Sequence, residues 1–147
     1  MRILLVEDNE ADRLIVRKAF ATIEPETHVD TVEDGLEAMK YLKNIPPYET
    51  ALKPSLILLD LNLPGKNGKE VLSEIKSDPE LKKIPVAILS SSTARKDICE
   101  SYSQNASCYL VKPYSFTEFI DLARSIHQFW DTKVRYCGCD PNANLFP

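Results

Sequence analysis

Four short apolar runs punctuate the chain, Ile3 to Val6, Ser55 to Leu59, Val86 to Leu89 and Tyr109 to Val111, and each gives way at once to polar or acidic residues. Runs of this length bounded by polar positions read as strands, and His28 to Val32 is read as a fifth. Between them the apolar positions take a helical period behind start signals. Asn9 caps a helix with Val16, Ala19, Phe20 and Ile23 on its apolar side. Asp34 with Glu37 forms a box-like cap before Ala38, Met39 and Leu42, and Ser115 with Glu118 does the same before Phe119, Ile120, Ala123 and Ile126. Gly68 to Ser77 places Val71, Leu72 and Ile75 on one side of another helix, and Ala94 to Gln104 supplies a weaker pattern.

Strands separated by helical patterns imply βαβ crossovers and a parallel sheet. Ile3 to Val6 and Leu56 to Leu59 are nearly continuous in apolar residues, as strands covered on both faces should be. The expected fold class is therefore α/β: a doubly wound (βα)5 three-layer sandwich around a five-stranded parallel sheet, flavodoxin-like in topology. Asn44 to Pro54 contains Pro46, Pro47 and Pro54, cannot be helical throughout, and becomes a surface connection. One domain is expected over residues 1–131. Residues 132–147, with Gly138, Pro141 and Pro147, read as a tail with no room for an output domain.

Composition narrows the function. The chain has 147 residues, 18 basic and 22 acidic, a net charge of -4 and no long run of either sign. That balance disfavours a nucleic-acid surface, which needs clustered Lys and Arg, and a polybasic membrane anchor. No apolar stretch approaches the roughly 20 residues that span a bilayer, and acidic residues arrive too early for a secretory signal, so a cytoplasmic location is expected. Cys99, Cys108, Cys137 and Cys139 then read as free thiols. Cys137 and Cys139 lack the further ligands of a zinc site.

In an open parallel sheet the functional crevice lies beyond the carboxyl ends of the strands. The residues there are chemically coherent: Glu7 and Asp8 after the first run, Asp60 after the run at 55–59, Ser90 after the next, Lys112 and Pro113 after the last. Three converging carboxylates repel one another by several kcal/mol at intermediate dielectric unless a cation or protons relieve them. An all-oxygen donor set suits Mg²⁺. Adding a lysine and a hydroxyl gives the composition of a phosphoryl acceptor site, with an Asp as nucleophile.

The elements LLVEDN (4–9), LILLDLNLPGKNG (56–68), PVAILSSS (85–92) and YLVKP (109–113) resemble a response regulator receiver domain of two-component signalling. Most specific is the D-x-x-x-P-x-x-x-G spacing of Asp60, Pro64 and Gly68 with a downstream Lys-Pro. The resemblance implies Asp60 as phosphoacceptor. It also implies Mg²⁺ held by Glu7 through water, by Asp8 and Asp60, and by the backbone carbonyl of Asn62. Ser90 and Lys112 would bind the phosphoryl group, Ser90 and Tyr109 would form the switch, and the bond before Pro113 would be cis. Ser91 departs from the small alanine common after the switch residue, and Asn67 from the Asp common before the glycine. The DLNLP-x-x-NG version, the Pro-rich insertion and the FW-containing last helix resemble the subgroup of cyanobacterial and bacterial phytochrome response regulators.

Two other functions compete. An aspartate-nucleophile phosphatase resembles D-x-D, its second Asp serving as general acid, whereas Asp60-Leu61-Asn62 offers no proton donor there. A flavodoxin-like cofactor carrier wants a Gly/Ser/Thr-rich loop after the first strand, where EDNEAD would repel a phosphate. The expectation is a signalling protein and no turnover enzyme, self-catalysing transfer from a histidine kinase of phytochrome type. Its partners would include a downstream phosphotransfer or effector protein and a second copy of itself. The homodimer is expected through exposed aromatics, Phe129 and Trp130 of the last helix, and a tail carrying Val134, Tyr136, Leu145 and Phe146.

Overall fold

The computed structural model describes residues 1–133. Five strands, β1 (Arg2–Val6), β2 (His28–Val32), β3 (Leu56–Leu59), β4 (Val86–Ser90) and β5 (Cys108–Val111), alternate with helices. These are α1 (Glu10–Ile23), α2 (Gly35–Leu42), α3 (Gly68–Ser77), α4 (Arg95–Ser103) and α5 (Phe116–His127), with a π-helical turn at Gln128–Lys133. All pairs are parallel, in the order β2-β1-β3-β4-β5. The chain thus winds first to one side of β1 and then to the other, and the crevice of such a sheet opens at the carboxyl ends of β1 and β3.

Period-two alternation divides the central strands between two cores. Leu4, Val6, Ile57, Leu59, Val86 and Ile88 pack with α2 and α3 residues such as Met39, Leu42, Leu72 and Ile75. Ile3, Leu5, Leu56, Leu58, Ala87 and Leu89 face Val16, Ala19, Phe20, Phe119, Ala123 and Ile126 of α1 and α5. The helix starts are those expected from sequence. Asn9, Asp34, Asn67 and Ser115 each accept a hydrogen bond from the backbone N–H three residues on.

α4 is the exception. Its cap residue, Ala94, contributes no side-chain bond, and its buried residue is Ser101. Polar ties fasten it instead: Lys69 of α3 reaches Asp97 at 2.7 Å and Glu100 at 2.6 Å, and the Tyr102 hydroxyl accepts from the Tyr109 N–H of β5. A helix held this way is cheap to shift, because little apolar surface is exposed when it moves.

Two expectations are corrected. The Lys112–Pro113 bond is trans, and among the described residues the cis peptide is Pro46–Pro47. Trans is the lower-energy form of an X-Pro bond by about 0.5–1 kcal/mol, so it stands where the fold does not impose the other. Trp130 is not an exposed aromatic: it is 6% exposed and closes the end of the α1/α5 core, whereas Phe129 beside it is 52% exposed. The rings meet edge to face at 4.8 Å, and the π-helical turn sends one inward and the other out. Val134, Tyr136, Cys137, Cys139, Leu145 and Phe146 of the tail lie outside the described residues.

Candidate functional site

Register brings the site together. Val6 pairs with Leu59 of β3, so Glu7 and Asp60 leave adjacent strand ends side by side. Their amides stay in the ladder, Glu7 N–H donating to the Val32 carbonyl and Asp60 N–H to the Val6 carbonyl, both at 3.1 Å. At the far side Ser90 pairs with Val111, and Lys112 N–H donates to the Ser90 carbonyl at 2.9 Å.

Gly68 fixes the loop after β3. A Cβ there would lie 2.2 Å from the Asp60 carbonyl oxygen and 2.5 Å from Leu61 Cα, closer than any real side chain stands. Its N–H donates to the Leu61 carbonyl at 3.0 Å, so α3 begins pressed against the backbone that carries Asp60. Gly65 supplies the turn with φ +67, in the left-handed region that other residues avoid.

Glu7, Asp8 and Asp60 bring carboxylate oxygens within 4.8 Å of one another. Glu7 and Asp60 are buried, at 2% and 4% exposure, while Asp8 faces solvent. Lys112 reaches in from β5: its ammonium stands 2.6 Å from Glu7 Oε2 and 3.0 Å from Asp60 Oδ2. Burial pushes the Glu7 carboxyl up to about 7; the hydrogen bond from Lys112 opposes that rise and the neighbouring Asp60 charge adds to it. For Lys112 burial works downward, but the hydrogen bonds to Glu7 and Asp12 and the charges of Asp60 and Glu7 outweigh it. The ammonium is held above the usual lysine range.

The lysine relieves the crowded carboxylates in part, and a hard divalent cation answers the same charge problem. The donor set is all oxygen, partly buried and open to water at Asp8, which fits an ion that keeps part of its hydration shell. The Asn62 N–H donates to Asp60 Oδ1 at 3.2 Å, holding that carboxylate from the loop side.

Ser90 is fully buried and its Oγ accepts from the Ser92 N–H at 3.2 Å. Tyr109 is half-buried on β5, and its hydroxyl donates to the Ser92 carbonyl at 2.8 Å. Ser91, next to Ser90, is exposed. Glu7, Asp8, Asp60, Ser90 and Lys112 therefore stand at one sheet edge, and Tyr109, farther back on β5, is joined to Ser90 through Ser92.

Two participants were missed. Asp12, in the first turn of α1, holds Lys112 at 3.0 Å. Ser92 joins Ser90, Tyr109 and, through Oγ at 2.6 Å, Asp97 of α4. Asp12 reads in sequence as an ordinary acidic residue at a helix start, where a carboxylate is common for the helix dipole alone. Ser92 lies in a serine run with nothing to distinguish it.

The model of the response regulator receiver domain matches residues 3–124. Response regulator Rcp1 of Synechocystis sp. is 42% identical over 128 residues, 87% of each chain, and chemotaxis protein CheY-3 of Vibrio cholerae is 30% identical over 78% of this chain and 82% of its own. Among solved structures, the phosphorylated cyanobacterial phytochrome response regulator RcpA superposes with TM-score 0.88 at 44% identity, covering 93% of this chain and 98% of that one. The Mn²⁺-bound form of Rcp1 gives TM-score 0.85 at 40% identity over 93% and 99%. The chain belongs to the response regulator receiver domain family. Within it, the chain is a signalling protein related to the response regulator Rcp1 and to the phytochrome response regulator RcpA.

Proposed function

We propose that this response regulator takes a phosphoryl group from a histidine kinase onto Asp60 in a Mg²⁺-dependent reaction and signals by a shift at Ser90 and Tyr109. The observation that carries this reading is the Lys112 ammonium 3.0 Å from Asp60 Oδ2, with the Glu7 and Asp8 carboxylates beside it. An Asp60 oxygen attacks phosphorus and the bond to the donor imidazole nitrogen breaks. Its electron pair returns to the imidazole, which takes a proton from solvent. Mg²⁺, held by Asp8, Asp60, the Asn62 backbone carbonyl and, through water, Glu7, would neutralise charge on the phosphoryl oxygens. Lys112 supplies a second positive charge, and Ser90 a hydroxyl for a phosphoryl oxygen. Once Ser90 is drawn to that oxygen, its contact with the Ser92 N–H is released and the Tyr109 ring repositions with the β4–α4 loop. This is a population shift of a few kcal/mol acting on the weakly packed α4.

Similarity to Rcp1 and RcpA supports a phytochrome-type kinase as donor, and with it a cytoplasmic setting. Among the described residues no helix is long and apolar enough to cross a membrane. Output passes to a downstream phosphotransfer or effector protein. A homodimer through the end of α5 and the tail is supported by Phe129 and by an apolar groove of about 260 Å³ lined by Cys108, Leu110, Leu122, Ile126, Phe129 and Trp130.

The test is acetyl phosphate with Mg²⁺. One acid-stable, base-labile phosphoryl group should appear on Asp60, and chelation or Asp60→Asn should abolish it. Equal labelling of the Asn variant would overturn the assignment.

A further inference from the structure

An ammonium has three N–H donors, and in Lys112 each has a carboxylate within reach: Glu7 Oε2 at 2.6 Å, Asp12 Oδ2 at 3.0 Å and Asp60 Oδ2 at 3.0 Å. Two of those contacts, to Asp12 and Asp60, are hydrogen bonds and the third is an ion pair, so a phosphoryl oxygen arriving at Asp60 meets a lysine whose charge is already shared and competes with these carboxylates for it. Glu7 is poorly suited to give way, since its side chain is 2% exposed and would be left buried without the lysine. Asp60 is the residue that carries the group. Asp12 is different: its side chain is 29% exposed, so water can take the place of the ammonium. Its backbone N–H is fixed by the Asn9 side chain at 3.0 Å, which holds the first turn of α1 over the lysine.

We propose that Asp12 is a positioning residue that competes with the phosphoryl group for Lys112 and thereby sets how tightly the site holds that group. The inference rests on the reading of Asp60 as phosphoacceptor. With Asp12 in place the ammonium is shared between the rim and the acceptor. With Asp12 withdrawn, one donor is free for a phosphoryl oxygen, which is the stronger acceptor because it carries more charge.

Beryllofluoride with Mg²⁺, a mimic of the phosphoryl group, tests the competition by fluorine NMR titration of the full chain. Asp12→Ala should bind it more tightly by about two- to fivefold, the range expected for losing one partly exposed competing pair. Asp12→Asn should move affinity in the same direction by less, and Asp12→Glu should stay near wild type. The decisive arm is Lys112→Arg, because a guanidinium has five donors and three carboxylates do not exhaust them. In that background most of the Asp12→Ala gain should vanish, which neither a structural role nor simple relief of negative charge would produce. Unchanged or weaker binding by Asp12→Ala overturns the proposal, as does a gain of the same size in the Lys112→Arg background. If wild type neither binds beryllofluoride nor is labelled by acetyl phosphate, the phosphoacceptor reading falls and takes this one with it. Binding by wild type without the Asp12 effect removes only this one.

Discussion

The Tyr109 hydroxyl donates to the backbone carbonyl of Ser92 at 2.8 Å, so the ring on β5 is tied to the loop that follows β4 and not to the carboxylate cluster. The same Ser92 donates its N–H to Ser90 Oγ at 3.2 Å and its hydroxyl to Asp97 Oδ2 at 2.6 Å. Asp97 in turn holds Lys69 across to α3. Ser90, Tyr109 and α4 are thus joined by hydrogen bonds through one half-buried residue.

Ser90→Ala should keep Asp60 competent for labelling by acetyl phosphate yet uncouple Tyr109 from it. Tyrosine ring signals in the NMR spectrum should change on phosphorylation of wild type and stay still in the variant. Unchanged Tyr109 signals in phosphorylated wild type would contradict the coupling.

Gly68→Ala should be among the most damaging single changes outside the strands. The added carbon meets main-chain atoms of Asp60 and Leu61, which cannot step aside as a flexible side chain would. A loss of about 1–3 kcal/mol or more is expected by denaturant unfolding, with labelling of Asp60 reduced beyond what the remaining folded fraction accounts for. A variant as stable as wild type would show that the α3 start is free to retreat.

Much of this was legible in the chain. Strand ends at Glu7, Asp60, Ser90 and Lys112 could be read because each apolar run stops abruptly, and the parallel topology then forces those ends to one edge. Asp12 could not be read in the same way, since its partner is 100 residues distant and only the packing of α1 against the sheet sets the contact. Trp130 misled for a related reason: two adjacent aromatics at a helix end carry no mark of which is inside, and the π-helical turn decides it. The bond before Pro113 came from family resemblance, and the local backbone takes the trans form.

Burial raises the Cys108 thiol to about 11. In the unfolded chain the thiol ionises near its ordinary value of about 8.5, so between that pH and 11 the unfolded state binds fewer protons and stability falls as pH rises. At pH 8 iodoacetamide should modify exposed Cys99 well before Cys108, as mapped by peptide mass spectrometry, and Cys108 labelling should climb as pH approaches 10. Equal rates at pH 8 would mean that the β5 edge opens freely to solvent.

The last prediction concerns association. Phe129 presents an exposed ring at the rim of the apolar groove between β5 and α5, next to Trp130, whose ring is already committed to the core. Aromatic rings are over-represented at protein interfaces, and an apolar groove of this kind is costly to leave in water. A stable dimer buries about 800 Å² per partner, more than one ring and its groove supply, so the tail beyond residue 131 is expected to contribute the rest. Phe129→Glu places a charge in that contact at a ring that is 52% exposed and meets the core through its edge-to-face contact with Trp130. Trp130→Ala would instead cost about 3–5 kcal/mol of stability and confuse the reading. Sedimentation at micromolar concentration should give a dimer for the full chain and a monomer for Phe129→Glu and for a chain ending at residue 130. Asp60 labelling should be unaffected in both, since the groove lies apart from the carboxylates. A full-length chain that stays monomeric to high concentration would rule out the dimer.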